Sequence, residues 1–181
     1  MLEEYTNEYR RETGYFDKMA EKIAGIINKP VKKVLDIGCG FGDFLSSLRI
    51  YLGDSIDYYG ITISKKEYEE LKDRGLKILM ARQEDLEKLF EPESFDLVIN
   101  YGTFRYIDEN VQIQVLEQMQ KILKKDGILF LCLITTVATD KGHYSMDATK
   151  IKDKLKEYNF ELKEEWLSER DSYLNQIWIK H

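Results

Sequence analysis

The chain has 181 residues, 43% hydrophobic and 33% charged, with a net charge of -6. That is the balance of one globular domain with one sizeable core. The acidic balance gives no basic footprint for a nucleic-acid backbone, and no apolar run approaches the ~20 residues that span a bilayer. The N-terminus shows no apolar leader, and Cys39 and Cys132 are too far apart for a metal-ligand pattern. A cytoplasmic protein with reduced thiols and no metal is expected.

Residues 1–29 are polar, with Phe16, Met19, Ile23 and Ile26-Ile27 at helical spacing. Pro30 stops that helix. Val31 to Ile37 is a short apolar run ending in glycines, hence a strand. Phe44, Leu45, Leu48 and Leu52 mark a helix, and Ile56 to Ile63 the next strand. Ser64 and Glu67 form a capping box for a helix that turns Tyr68 and Leu71 inward and ends near Gly75. Strands follow at Leu76 to Met80 and Phe95 to Ile99.

Val111, Val115, Met119, Ile122 and Leu123 give an amphipathic helix, ended by Lys124 to Gly127. Ile128 to Ile134 is a continuous apolar run, as in a strand buried on both faces. Ile151, Leu155 and Tyr158 mark another helix. Phe160 to Trp166 and Tyr173 to Ile179 read as a closing pair of strands. Alternation of this kind predicts an α/β fold: a doubly wound, mostly parallel sheet with helices on both faces. Ligands in such sheets bind at the carboxyl ends of the strands.

The chemistry is expected in the loop Asp36-Ile37-Gly38-Cys39-Gly40-Phe41-Gly42, between a strand and a helix. Glycines at alternate positions let the backbone approach a ligand, with amides aimed at it from the helix start. The spacing is not that of a dinucleotide loop, because the third glycine arrives one residue early. Asp36 would also repel a pyrophosphate and attract a cationic ligand.

This loop resembles the first motif of the class I S-adenosylmethionine-dependent methyltransferases. The β-α order from Lys32 to His181 is similar to that family's seven-stranded fold, in which the last strand is antiparallel. The resemblance implies S-adenosylmethionine as cofactor and S-adenosylhomocysteine as product. Asp36 and the backbone of Gly38, Cys39, Gly40, Phe41 and Gly42 would hold the methionine portion. Thr62 falls where many members carry an acid for the ribose hydroxyls. The stretch Gly60 to Ser64 is similar to the cyclopropane fatty-acid synthase branch. Arg82 occupies the usual adenine-acid position, so Gln83, Glu84 or Asp85 would serve instead; Asp85 also reads as a helix N-cap.

Asn100 and Tyr101, followed by Thr103 and Phe104, would line the cleft between cofactor and acceptor. His143 and Tyr106 are the candidate bases, and Tyr144 lies beside the first of them. Residues 1–29 are expected to form a helical lid, carried by Tyr5, Tyr9 and Tyr15, over a core at 30–181; for Phe16, Met19 and Ile23 plain packing on the sheet is an equal reading. The expected activity is methyl transfer to O or N of a small molecule, with no membrane or nucleic-acid partner. A non-catalytic S-adenosylmethionine-binding scaffold or activator subunit, a protein or RNA methyltransferase, and a nicotinamide oxidoreductase are the alternatives.

Overall fold

Strand and helix alternate from Lys33 onward in the computed structural model, which describes residues 14–134, 144, 146–168 and 173–181. The strands are β1 (Lys33–Ile37), β2 (Asp57–Thr62), β3 (Lys77–Met80), β4 (Phe95–Tyr101), β5 (Leu123–Ile134), β6 (Phe160–Leu167) and β7 (Tyr173–Lys180). The helices are α1 (Tyr15–Ile26), α2 (Asp43–Leu52), α3 (Lys65–Leu71), α4 (Leu86–Leu89), α5 (Glu109–Ile122) and α6 (Ala148–Glu157). Short 3-10 turns lie at Gln83–Asp85 and Thr103–Tyr106.

The seven strands form one sheet in the order β3-β2-β1-β4-β5-β7-β6. β3, β2, β1, β4 and β5 run parallel, and β7 inserts antiparallel between β5 and β6. Crossovers to either side of β1 put helices on both faces. On one face Phe16, Met19 and Ile23 of α1 pack with Phe44 and Leu48 of α2 and Leu71 of α3. On the other, Leu86 of α4 packs with Val115 and Met119 of α5 and Leu155 of α6. β1 and β4 lie between these cores, which is why both are buried along nearly their whole length.

Asp96 straps the amino ends of the central strands together. Its Oδ2 accepts from the amides of Lys32 and Lys33, each at 2.9 Å, and its Oδ1 accepts from Lys124 Nζ at 2.8 Å. Burial alone would raise this carboxyl; the Lys124 ammonium and the two amides outweigh it and hold the group below its ordinary value. The opposite, carboxyl end of the sheet is left open for chemistry.

One boundary departs from the sequence expectation. α5 ends at Ile122, and β5 already begins at Leu123, with Asp126 at φ 57. The amides of Glu93 and Ser94 bond to the carbonyls of Lys121 and Ile122 at 2.9 and 2.8 Å, drawing the helix end onto β4. Lys180 Nζ, buried, covers the Gln120 and Leu123 carbonyls at 2.8 and 2.7 Å. The polar run Lys124 to Gly127, read as a helix stop, is therefore a kink within a strand.

Candidate functional site

A cavity of about 510 Å³ opens over the carboxyl ends of β1, β2, β3 and β4. That is an ordinary size for a small-molecule cleft. Its floor is the loop after β1. Asp36, on β1, is only 2% exposed, and its Oδ1 has no hydrogen-bond partner. Burial pushes its carboxyl up to about 7. Gly60 lies opposite it on β2, and a Cβ there would meet Cys39 Sγ at 2.7 Å and Ile78 Cδ1 at 2.8 Å. The Cys39 thiol is therefore wedged beside Asp36. Burial raises its pKa, and Asp36 and Glu67 add repulsion.

The loop amides correct one expectation. Gly38 and Cys39 both donate to the Ile61 carbonyl, at 2.9 and 3.0 Å, and Gly42 donates to the Cys39 carbonyl at 2.9 Å. Instead of aiming at a ligand, these three amides tie the loop to β2 and to itself. Gly38, at φ 74, must be glycine for a second reason: a Cβ would lie 2.2 Å from Thr103 Cγ2. Gly42 serves packing, since a Cβ there would meet Leu71 Cδ2 at 2.9 Å.

At the end of β2, Ser64 Oγ accepts from the Glu67 amide at 3.3 Å, half of the expected capping box. The other half is rerouted. Thr62 Oγ1 accepts from the Ser64 amide at 3.0 Å and donates to the Glu67 carboxylate. Both Thr62 and Glu67 line the cavity. Glu67 is the residue that sequence reasoning missed, because capping accounted for its presence; its spacing from Thr62 was the available signal.

After β3, Gln83 and Glu84 line the cavity with Arg82. Gln83 Nε2 donates to the Thr103 carbonyl at 3.1 Å, and its Oε1 accepts from Thr103 Oγ1 at 3.2 Å and Asn100 Nδ2 at 3.4 Å. Its side chain thus braces the loop after β4. Asp85 lies away from the cavity lining and binds Lys88 Nζ at 2.6 Å; it makes no side-chain cap to α4. Asn100 is fully buried, so it supports Gln83 from behind and does not face the cleft.

Tyr101, Thr103 and Tyr106 line the cavity, with Phe16, Ile134 and Tyr173 from other elements. Phe104 does not: its side chain is fully buried in the core against α5, and Gln112 Nε2 holds the Phe104 and Ile107 carbonyls at 3.1 and 3.0 Å. Tyr15 stands against Tyr101 edge-on, with ring centres 6.2 Å apart, behind the lining. Tyr144, half exposed, donates its amide to the Arg105 carbonyl at 2.8 Å. Tyr5, Tyr9 and His143 lie outside the described residues.

Among the described residues, the charged ones lining the cavity are Asp36, Asp43, Glu67, Glu84, Arg82 and Arg105. Four carboxylates against two guanidiniums suit a cationic, hydroxyl-bearing ligand better than a phosphate. Among the described residues, no cluster of His, Cys, Asp and Glu could hold a metal, and no helix is long and apolar enough to cross a membrane.

A family profile described as a methyltransferase domain matches residues 28–178. The cyclopropane-fatty-acyl-phospholipid synthase of Escherichia coli K12 is 30% identical over 118 residues, 62% of this chain and 28% of that protein. The chain spans less than half the length of the first curated relatives it matches. The PH0226 protein of Pyrococcus horikoshii superposes with a TM-score of 0.77 at 18% identity, covering 96% of this chain and 92% of that one. The 1,6-didemethyltoxoflavin-N1-methyltransferase of Burkholderia thailandensis, solved with 1,6-didemethyltoxoflavin and S-adenosylhomocysteine, gives 0.74 at 15% identity, covering 99% and 84%.

Proposed function

Because this chain belongs to the class I S-adenosylmethionine-dependent methyltransferase family, we propose that it transfers methyl from S-adenosylmethionine to an oxygen or nitrogen of a small molecule. The observation that carries the reading is Asp36: a buried carboxylate on the cavity floor whose Oδ1 has no partner. An ionised carboxylate in that place needs a cation or a donor to offset its desolvation. S-adenosylmethionine brings an ammonium, two ribose hydroxyls and an electrophilic methyl on a sulfonium.

Asp36 receives the ammonium of the methionine portion beside the Gly38 to Phe41 backbone. Glu67, steadied by Thr62, accepts the ribose hydroxyls; a carboxylate can take two donors where a lone threonine cannot. Ile63, exposed at the rim, covers the adenine, and Glu84 is the acid within reach of its amino group. Gln83 keeps Thr103 against Gly38, so that the loop after β4 forms the wall facing the acceptor. Tyr106 and His143 are the candidate bases; an acceptor that arrives ionised needs neither. Holding two reactants in line supplies much of the acceleration in such a transfer.

Partner and compartment follow the same reasoning. The lysines of α6 are paired with acids (Lys150 with Glu109, Lys152 with Glu165), which leaves no basic stripe there for nucleic acid. Cys39 and Cys132 are buried thiols outside any disulfide, in keeping with a cytoplasmic setting. Thermal unfolding with S-adenosylmethionine, S-adenosylhomocysteine or NAD added tests the cofactor. A rise with the first two alone supports the reading, and a rise with NAD alone refutes it.

A further inference from the structure

The end of the sheet opposite the cleft gathers lysines. Asp96 stands at its centre, bonded to Lys32 and Lys33 through their amides and to Lys124 through its ammonium. Lys29 Nζ reaches the Lys125 carbonyl at 3.4 Å, which brings the segment after α1 onto β5 beside them. The buried Asp96 carboxylate offsets Lys124. Lys29, Lys32, Lys33 and Lys125 stand in no ion pair, whereas Lys22, Lys72, Lys88, Lys121, Lys150 and Lys152 are each held by an acid.

The net charge of -6 on the chain hides this concentration. The acids of the adjoining turns do not cancel it. Asp57 is held by Lys77 Nζ at 2.8 Å. Glu91 and Glu93 precede β4 on the side of α5, where the Glu93 amide bonds to the Lys121 carbonyl; Lys29 and Lys125 meet on the side of α1. Asp126, exposed beside Lys125, stands against four lysines. Tyr15, Ile134, Tyr144 and Tyr173, next to the segments outside the described residues, stand at the other end, with the cleft.

The chemistry of the patch selects its partner. Its cations are lysines, point charges without the planar fork that arginine offers to phosphates and bases. Residues 26–33 and 124–127 carry no aromatic ring on which a base could stack. Half-buried Ile27 and Val31 and exposed Pro30 lie among the lysines instead. Ammonium heads on aliphatic stems, with small apolar side chains between them, suit the headgroup layer of an anionic bilayer. Each lysine near such a surface strengthens attachment by about fivefold. β4 is seven residues long, so the cleft opens roughly 20 Å away, beyond reach of anything held at the patch.

We propose that this end of the sheet docks the protein peripherally on an anionic lipid surface through Lys29, Lys32, Lys33 and Lys125, with the cleft turned toward water. Peripheral attachment needs no spanning helix, and among the described residues none is long and apolar enough to span. Docking of this kind is independent of what the cleft binds.

The test is sedimentation of the full chain with vesicles of phosphatidylcholine, alone or mixed with phosphatidylglycerol. Binding to the mixed vesicles is expected to be tighter by roughly tenfold or more at low salt, and to be lost at high salt. Lys32→Gln with Lys125→Gln, both exposed, is expected to weaken it by roughly tenfold or more. Lys65→Gln with Lys66→Gln removes equal charge at the cleft end and should leave binding within about twofold. Absence of binding to the mixed vesicles, equal binding to the neutral ones, or equal losses in the two double variants overturns the proposal. Binding of single-stranded RNA through Lys32 and Lys125, without binding to vesicles, also overturns it and assigns the patch to nucleic acid.

Discussion

The hydroxyl of Thr62 donates to the carboxylate of Glu67, five residues on and on the next helix. The relationship supplies an acid at the end of β2, where the strand itself carries none. Removing the carboxylate is therefore expected to weaken S-adenosylhomocysteine binding. A hydrogen bond to a charged group is worth roughly 1.5–3 kcal/mol, so Glu67→Ala should cost about tenfold to a hundredfold in Kd. Thr62→Val should cost less, and the double variant little more than Glu67→Ala alone, because the two act as one unit. Calorimetry on the three variants checks this; additive losses would separate the residues.

Asp36 makes cofactor binding depend on pH. With its carboxyl raised to about 7, the ligand-free protein must ionise it to receive a cation. Affinity for S-adenosylhomocysteine should therefore fall about tenfold per pH unit below neutrality and level off above it, with a proton released on binding at lower pH. Titrations from acid to alkaline pH in two buffers of different ionisation enthalpy read both effects. Asp36→Asn should flatten the profile.

The same residue sets a sign for stability. In the unfolded chain Asp36 loses its proton at its ordinary value of 3.8, and in the fold at about 7. Between these values the unfolded state binds fewer protons, so ligand-free stability falls as pH rises, and the full penalty is present above the upper one. Asp36→Asn should raise stability at alkaline pH by roughly 2–4 kcal/mol, with little effect in acid. Urea unfolding at the two extremes measures the difference.

Gly38 and Thr103 occupy one space. Gly38→Ala sets a Cβ 2.2 Å from Thr103 Cγ2 at a left-handed backbone position. A loss of about 1–3 kcal/mol in urea unfolding is expected, with loss of cofactor affinity. Thr103→Ser removes that methyl while keeping the hydroxyl bound to Gln83, and should restore part of the loss in the double variant. Failure of that rescue would mean that backbone strain, not the clash, dominates.

Most of the fold was legible because apolar periodicity and turn chemistry agreed along the chain. Val31 to Ile37 and Phe95 to Ile99 read as strands, Ile128 to Ile134 as one buried on both faces, and the glycines after Ile37 marked where the site would open. What was hidden depended on contacts between distant segments. Phe104 reads as cleft-lining from its position after β4, but the 3-10 turn and the buried Gln112 direct it into the core. Gln83 reads as a ligand contact until Thr103 and Asn100 take up its amide. Glu67 reads as a capping residue until the Thr62 hydroxyl is seen to bind its carboxylate. The orphaned oxygen of Asp36 was legible as a charge preference, and its burial was not.

The decisive measurement for the role of Asp36 is calorimetric titration of the purified chain with S-adenosylmethionine and S-adenosylhomocysteine, repeated on Asp36→Ala. Saturable binding of both ligands to the wild type is expected, with a loss of about a hundredfold or more in the folded variant, as a partner of a buried charge is removed. Absence of binding to the folded wild type, or equal binding by the variant, would contradict that role.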